Sequence, residues 1–504
     1  MAQSVSVSVS AQAPSNKRPA RDLPLPALPF RLVMRPLFYA LFLASLMFTI
    51  LAALPVRLFI PLGGSQLRET DILLLAFVAL WIAGLCFLPT WPRRPQHKLV
   101  WVLVLVLLCP VATGLASGKA LAVVLRDFRT PAFFLAILPM LTVIRTYRDL
   151  ERLMRFMTIV ATISLLAGFV LWVKAPPAEG EPFRVGIAST LPLVVWQLFL
   201  CVGLISFEKK ARLRRFAWAY VLLALVFIFV ANDIRSMYVG VVGALVFASV
   251  AALFGGRQLR VRRRIMELAT GVIFVSGLLG ALFLSVDYWG RGIQEMVKAD
   301  LRLRRLYSLV DPTLGGELFV GFGGTNRDDR LLGLTYGFEL GARNAGFGLG
   351  YGDNPFVDLD PALIDVLVRR NALEGMPGNT VENMLFVHNS YGWAFGRLGL
   401  WFALAYFGIV VRLCWRAWKA MLRTDSEPLR IILLGTLANV VYILLLGFGG
   451  AAFFDYTGQG LVPWLVCVTV LIRATFLANA ASARTVSSRP TMLTALRRAA
   501  MARS

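Results

Sequence analysis

Cysteine is scarce in this chain, and the few residues present are far apart. All five lie within or at the end of apolar runs, form no CxxC pair and have no histidine neighbour: Cys86, Cys109, Cys201, Cys414 and Cys467. This pattern is typical of core residues and argues against disulfides and zinc sites.

Charged residues are also scarce. They make up 16% of the 504 residues, against 58% hydrophobic residues, and the mean hydropathy is +0.70. This composition excludes an ordinary soluble protein and predicts a polytopic membrane protein in a lipid bilayer. The net charge of +24 does not predict a nucleic-acid partner, because lysines and arginines cluster in short segments between apolar runs. That distribution is typical of membrane orientation.

The apolar runs predict an all-α fold of about twelve transmembrane helices. A bilayer-spanning helix needs about 17 to 25 residues. Segments that meet this criterion lie at residues 36–54, 71–89, 99–117, 130–146, 155–175, 186–207, 215–231, 236–255, 266–287, 390–412, 430–451 and 459–478.

Lysine and arginine set the orientation. Most basic loops and both tails fall on one side under the twelve-span count, and the positive-inside rule makes that side the cytoplasm. The predicted organisation is therefore a disordered basic cytoplasmic tail (1–35), spans one to nine (36–287), an outward-facing helical loop subdomain (288–389), spans ten to twelve (390–478) and a second cytoplasmic tail (479–504).

Arginines on the predicted outer side break the charge rule. Arg126 and Arg129 precede the fourth span, and they indicate either an interfacial helix with snorkelling side chains or an anion-binding rim. Arg235 lies in a short turn between spans seven and eight. Its counter-charge is either the nearby Asp233 or a ligand phosphate.

The long polar insert carries arginines and glycines. One cluster, Arg302 to Arg305, favours simple contact with lipid phosphates. The run Gly321-Phe322-Gly323-Gly324 and the sequence Arg327-Asp328-Asp329-Arg330 follow it. Guanidinium groups bind phosphate oxygens bidentately, and glycine lets backbone amides approach a phosphate, so a phosphate-bearing lipid headgroup suits this surface.

Two spacings make the pattern more specific. Arg330 is followed by fifteen residues and then Gly346, which opens Gly346-Phe347-Gly348-Leu349-Gly350-Tyr351-Gly352. His388-Asn389 is followed by nine residues and then Gly399. Together they resemble the superfamily of O-antigen ligases and Wzy-type polymerases, which are integral-membrane glycosyltransferases using polyprenyl-diphosphate-linked glycans. Phe402 stands where the ligase pattern has Gly, Thr or Tyr, which favours the polymerases.

The resemblance implies a site on the extracytoplasmic face of a bacterial inner membrane. His388, with the ordinary histidine pKa near 6.5, would accept the acceptor hydroxyl's proton, while Arg330 and Arg235 would stabilise the departing diphosphate. The expected substrate-binding residues are Asn389, Arg327, Arg343, Gly346, Gly348, Arg126 and Arg129.

The residues alone leave simpler roles open. His388 could be a neutral imidazole at a helix N-terminus, and Asn389 could be a helix cap. Asp358-Leu359-Asp360 resembles a metal motif of sugar-nucleotide transferases but is better explained as a loop turn before Pro361. We expect neither a metal nor a cofactor.

The expected reaction is inverting glycosyl transfer from a polyprenyl-diphosphate-linked oligosaccharide to a glycan acceptor. Polymerisation of repeat units of a surface polysaccharide or exopolysaccharide is the main expectation, with a chain-length regulator or export machinery as possible partners. The nearest alternative is ligation onto lipid A core or protein. A transporter or flippase for lipid-linked sugars is more distant, because the spans carry little midplane charge and show no repeat.

Overall fold

The structure, a computed structural model, describes residues 39–44, 59–62, 65–87, 95–174, 191–228, 235–255, 324–352, 389–448 and 461–488. The chain divides into two compact units, Met1–Ala40 and Leu41–Ser504. Only residues 39 and 40 of the first unit are described, and both are helical. His388, Asp233, the Asp358-Leu359-Asp360 sequence and the predicted ninth span lie outside the described residues.

The described residues of the second unit are almost all helical. A short hairpin, β1 (Phe59–Leu62) and β2 (Ser65–Arg68), precedes the longer helices. The helices are α1 (Glu69–Phe87), α2 (Pro95–Ala116), α3 (Leu121–Ala132), α4 (Ile137–Val143), α5 (Tyr147–Lys174), α6 (Leu191–Phe207), α7 (Ala211–Val226), α8 (Arg235–Gly255), α9 (Gly324–Gly346), α10 (Ser390–Arg423), α11 (Glu427–Leu446) and α12 (Leu461–Ser488).

Several of these helices are suited to a bilayer. In the described part of the chain, five are long and apolar enough to cross a membrane: Lys98–Ala116, Tyr147–Val170, Ser390–Arg423, Glu427–Leu446 and Pro463–Ser482. Shorter apolar helical segments lie in the predicted second, fourth, sixth and eighth spans: Leu74–Gly84, Phe133–Val143, Leu191–Phe207 and Val239–Phe254. The predicted helical fold class and membrane character are confirmed at this level, and the count of twelve stays a prediction.

The hairpin departs from the all-α prediction. Its strands are antiparallel, with Phe59 opposite Arg68 and Leu62 opposite Ser65. The two residues between them in the sequence are Gly63-Gly64. A Gly-Gly pair favours a two-residue hairpin turn, because glycine adopts positive φ without steric cost. The hairpin lies between predicted spans, so it alters none of their helices.

The predicted fourth span, 130–146, is not one regular helix. Helix α3 ends at Ala132, a 3-10 turn covers Phe133–Ala136, and α4 ends at Val143. Pro131 and Pro139 lie in this stretch, and proline removes a backbone hydrogen bond from a helix interior. The apolar part is therefore short, and polar α3 continues it on its N-terminal side.

Helix α11 lies at the centre of the bundle. Most of its residues are buried, and it packs against α6, α8 and α12. Glycines make close approach possible: Gly203 of α6 faces Ile431, and Gly435 of α11 faces Leu200. These two contacts run in opposite directions along the helices, so α6 and α11 are antiparallel. Cys201 and Cys467 are free and buried in this region, as the sequence predicted.

Candidate functional site

Glycines bring α9 and α10 into direct backbone contact. A Cβ atom on Gly337 would lie 2.3 Å from the Gly392 carbonyl oxygen, and one on Gly341 would lie 2.6 Å from the Phe395 carbonyl oxygen. The contacts advance in the same direction along both helices, so α9 and α10 run parallel. Gly337 and Gly341 are four residues apart, a spacing of small residues that lets helices in membranes approach closely.

These two contacts show which residues of α9 and α10 lie side by side. The contacting residues are 55 positions apart in the first pair (392 − 337) and 54 in the second (395 − 341). Asn389, which precedes α10, is therefore level with Leu334 of α9. Arg330 lies four residues before Leu334, about 6 Å along the helix axis. The backbones that carry Arg330 and Asn389 thus reach neighbouring levels of one helix pair.

Asn389 caps the start of α10. Its Oδ1 atom accepts hydrogen bonds from the backbone amides of Tyr391 and Gly392, both at 3.0 Å, and the residue is buried. The amide of the next residue, Ser390, donates to the Gly447 carbonyl at the end of α11. The position that follows His388 in the sequence is therefore fixed by two helix ends. The capping interpretation of Asn389 is confirmed, and a contact with substrate stays a prediction.

The glycine segment, residues 346–352, packs against protein on both sides. Gly346, Gly348, Gly350 and Gly352 all have positive φ, between 68° and 88°. A Cβ on Gly346 would meet the Trp401 ring at 2.5 Å, and one on Gly348 would meet the Gly399 Cα at 2.6 Å. Any side chain here would collide, which explains the alternating glycines.

Most described amides of the glycine segment donate to protein carbonyls. Gly348 N–H donates to the Arg343 carbonyl, Leu349 N–H to the Gly396 carbonyl and Tyr351 N–H to the Pro110 carbonyl. These amides are already used, so the segment serves to hold α2, α9 and α10 together. Binding of substrate by Gly346 and Gly348 stays a prediction, and the described contacts give both glycines a packing role.

Helix α10 changes direction where it meets the glycine segment. Gly399 has φ 80° and ψ 165°, which interrupts the helical backbone. A Cβ at this position would lie 2.3 Å from the Phe347 carbonyl carbon. Two residues later, Trp401 Nε1 donates to the Ala345 carbonyl at 2.9 Å. The glycine that closes the His-Asn-nine-Gly pattern therefore forms the contact with the glycine segment.

An ion pair connects α3 to the same region. Arg397 Nη1 lies 3.0 Å from Asp127 Oδ2, and the Gly352 amide donates to the same oxygen at 3.0 Å. The side chains of Arg397 and Asp127 are only 14% and 20% exposed. Asp127 thus joins three elements: α3, α10 and the end of the glycine segment.

Tyr351 fills the space beside this ion pair. It is fully buried, donates its hydroxyl to the Leu107 carbonyl of α2 at 3.1 Å, and packs against Phe128 and Trp393. Burial raises the pKa of the Tyr351 phenol well above its usual value; Arg397 opposes this effect and Asp127 adds to it. Tyr351 is therefore a neutral hydrogen-bond donor that fastens the glycine segment to α2.

Two predicted basic residues border this cluster. Arg343 lies at the end of α9, where its guanidinium is 3.7 Å from Glu339 and its carbonyl accepts the Gly348 amide. Arg129 is half-buried on α3, an amphipathic helix with Val124 buried and Leu125 exposed. This amphipathicity is what the interfacial-helix interpretation requires, and an anion-binding role of Arg129 stays a prediction.

The structure describes only the backbone of four other predicted arginines. Arg327 and Arg330 lie in α9, Arg126 lies in α3, and Arg235 opens α8. Helix α9 packs on α10, and α3 contacts Arg397 of α10 and Gly352 of the glycine segment. Helix α8 packs mainly against α11. Arg330 and Asn389 therefore belong to one end of the α9–α10 pair, whereas Arg343, Gly346 and Gly348 lie near Gly399, about 15 Å further along the pair.

Sequence reasoning missed Arg397 and the role of Asp127. Arg397 lies two residues before Gly399, and this closeness to the predicted motif was an available signal. Nothing in the sequence pairs Arg397 with Asp127, since 270 positions (397 − 127) separate them.

The described part of the chain is mainly helical, and five of its helices are long and apolar enough to cross a membrane. No protein-family model matches the chain, and no curated protein matches it. Nothing in these comparisons assigns it an activity.

Proposed function

We propose that this protein is an integral-membrane glycosyltransferase of the O-antigen ligase and polymerase type. It transfers an oligosaccharide from polyprenyl diphosphate to a glycan acceptor on the outer face of a bacterial inner membrane. Its main reaction is the polymerisation of repeat units of a surface polysaccharide or exopolysaccharide.

The observation that carries this proposal is the parallel packing of α9 on α10. The sequence elements behind the resemblance are the Arg330-to-Gly346 spacing, the glycine segment and the Asn389-to-Gly399 spacing. The Arg330-to-Gly346 spacing lies along α9, and the Asn389-to-Gly399 spacing lies along the start of α10. The glycine segment contacts Gly399. Elements that are far apart in the sequence therefore belong to one interlocked unit, as a shared site requires.

Contacts between helix ends support the proposed topology of twelve spans with both termini in the cytoplasm. Ends predicted to face outward meet each other: Gly114 of α2 contacts Gly350, and Ser390 bonds to Gly447. Ends predicted to face the cytoplasm also meet: Lys209 lies 2.6 Å from Glu427. In this topology residues 288–389 face outward, and Asn389 and Gly447 lie at the outer ends of α10 and α11.

The proposed reaction needs no nucleotide sugar, because the donor carries its own leaving group. A hydroxyl oxygen of the acceptor attacks C1 of the donor sugar, and the C1–O bond to the diphosphate breaks. The bonding electrons leave with polyprenyl diphosphate, whose charge Arg330 and Arg235 stabilise. The hydroxyl proton passes to His388. Attack from the face opposite the leaving group inverts the configuration at C1.

Phe402 favours polymerisation over ligation. It occupies the third position after Gly399, and its ring packs against Phe347 of the glycine segment at 5.9 Å between centroids. A large apolar side chain at this position therefore belongs to the contact between α10 and the glycine segment. The ligase-type pattern has a different residue here, which is why polymerisation is the main proposal.

Complementation in cells tests the proposal. A strain lacking the gene is rescued with wild-type protein, His388→Ala, Arg330→Ala or Arg235→Ala at matched membrane levels, and the glycan is sized on gels. His97→Ala is the matched control, since His97 is the second of the two histidines in the chain. We expect long polymer from wild type and His97→Ala, and single repeat units from the three site variants.

Two outcomes would change the conclusion. If cells lacking the gene still build long lipid-linked polymer that stays unattached to its acceptor, the protein is a ligase. If His388→Ala and Arg330→Ala both restore full-length polymer, the proposed site is wrong and transport of lipid-linked sugars becomes the better explanation.

A further inference from the structure

Helix α10 has one exposed face along its regular part, the stretch that follows the kink at Gly399. Its exposed residues recur at helical spacing, and those nearer the kink are mostly apolar: Trp401, Leu404, Ala405, Gly408 and Val411. From Arg412 onward the same face is basic, with Arg412, Arg416, Lys419 and Arg423 all exposed. The apolar part from Trp401 to Val411 covers about 15 Å of helix. This is about half of the roughly 30 Å thickness of a bilayer's hydrocarbon core, so it matches the acyl chains of one leaflet.

The basic residues of this face have no carboxylate partner among the described residues. Two exposed cations elsewhere do have one: Arg155 pairs with Glu151 and Lys209 with Glu427, both at 2.6 Å. Arg412 and Arg416 are four residues apart, as are Lys419 and Arg423, and like charges at this spacing repel each other. The basic face therefore concentrates four positive charges on one side of a helix, which favours the binding of an anion there.

The dipole of α10 stabilises only part of this basic face. Cations stabilise the last turn of a helix, and this effect covers Arg423. Arg412, Arg416 and Lys419 lie before that turn, so the dipole contributes little to them. These three lie at the predicted cytoplasmic end of the tenth span, where they are close to the anionic headgroups of that leaflet.

A tryptophan lies among the three cations. Trp415 is 57% exposed, and Lys419 Nζ lies 4.7 Å from the centre of its ring. Tryptophan is enriched where a membrane-spanning helix meets the headgroup layer. Anionic headgroups attract basic side chains at this depth, with an effect of about fivefold in affinity per charge.

We propose that Arg412, Trp415, Arg416 and Lys419 form a binding surface for the headgroup of an anionic phospholipid. The apolar face above it contacts the acyl chains of the same lipid. The surface lies at the opposite end of the regular part of α10 from Gly399 and the glycine segment, so this proposal does not depend on glycosyl transfer.

Native mass spectrometry of the full-length protein in a neutral detergent tests the proposal. The probes are phosphatidylglycerol and, as the zwitterionic comparison, phosphatidylcholine. The test variant is Arg416→Gln/Lys419→Gln. The control is Arg155→Gln/Lys209→Gln, which removes the same charge from cations that already have carboxylate partners. All four positions are exposed, so a folded protein is expected, and a thermal unfolding curve of each variant verifies this.

We expect wild type and the control to retain phosphatidylglycerol in preference to phosphatidylcholine. The test variant should lose about 25-fold in affinity for phosphatidylglycerol, from two charges at about fivefold each. Trp415→Phe should weaken binding of both lipids without changing the preference. Equal binding of the two lipids by wild type, or equal losses in the test and control variants, would overturn the proposal. A dimer that excludes lipid from this face would also overturn it.

Discussion

The ion pair between Asp127 and Arg397 joins three elements of the candidate site, so its removal should have a large cost. Asp127→Ala removes the contact with Arg397 and the acceptor for the Gly352 amide. Breaking a fully buried pair costs about 3–5 kcal/mol. Because these side chains keep 14% and 20% of their exposure, water recovers part of that cost. We expect Asp127→Ala to lower the free energy of unfolding by about 3 kcal/mol.

The partner substitutions separate the two contributions. Asp127→Asn keeps an acceptor for the Gly352 amide and loses only the charge, so it should cost less than Asp127→Ala. Arg397→Ala leaves Asp127 with the Gly352 amide, and we expect a loss of about 2 kcal/mol. The double variant should therefore cost clearly less than the sum of the single ones, with a coupling energy of roughly 1.5 kcal/mol.

Unfolding in mixed micelles, followed for the wild type, both single variants and the double variant, measures this coupling. The matched control is the cycle for Glu151 and Arg155, an exposed pair four residues apart, for which we expect no more than about 0.5 kcal/mol. A coupling between Asp127 and Arg397 as small as that of the control would refute the reasoning. The pair would then be a surface contact without a role in holding α3 to α10.

Two further substitutions test the packing around the site and the broken span. Gly337→Ala places a Cβ 2.3 Å from the Gly392 carbonyl oxygen and should destabilise the protein by about 2 kcal/mol in the same assay. Gly408→Ala is the control, because its Cβ would have no atom within 4 Å, and it should be neutral or stabilising. Equal effects of the two substitutions would contradict the close approach of α9 and α10. Arg473 is buried and donates to the carbonyls of Leu141 and Ile144 at the end of α4, so Arg473→Met should cost about 3 kcal/mol. Arg473→Lys should lower the free energy of unfolding by less than Arg473→Met. The control, Arg148→Met at an exposed position, should change it by no more than about 0.5 kcal/mol. A loss from Arg473→Met as small as that of Arg148→Met would show that the two carbonyls do not need the arginine as a donor.

The predicted spans that fall on described residues coincide well with helices. Runs such as 99–117 and 430–451 match α2 and α11 within a few residues, because a helix that lies in lipid must be apolar over its whole length. The fourth span is the exception. Its prolines were visible in the sequence, but the 3-10 turn and the binding of its end by Arg473 depend on contacts with α12.

The candidate site was predictable only in part. The glycine segment and Asn389 were singled out by their spacing, and the structure gives both a role in packing and capping. The parallel contact of α9 with α10 was not predictable, because Gly337 and Gly341 resemble many other small residues in the chain.

The sequence by itself determined that this protein is helical and suited to a membrane, because hydrophobicity and helix length are local properties of the chain. It also indicated several of the positive-φ positions, since glycine adopts them without steric cost, whereas Asn344 and Ala345 have positive φ without such a signal. The tertiary structure alone decided that Asp127 pairs with Arg397 and that Gly348 packs on Gly399. These contacts depend on distances between residues far apart in sequence, and such distances are set only when the helices pack together.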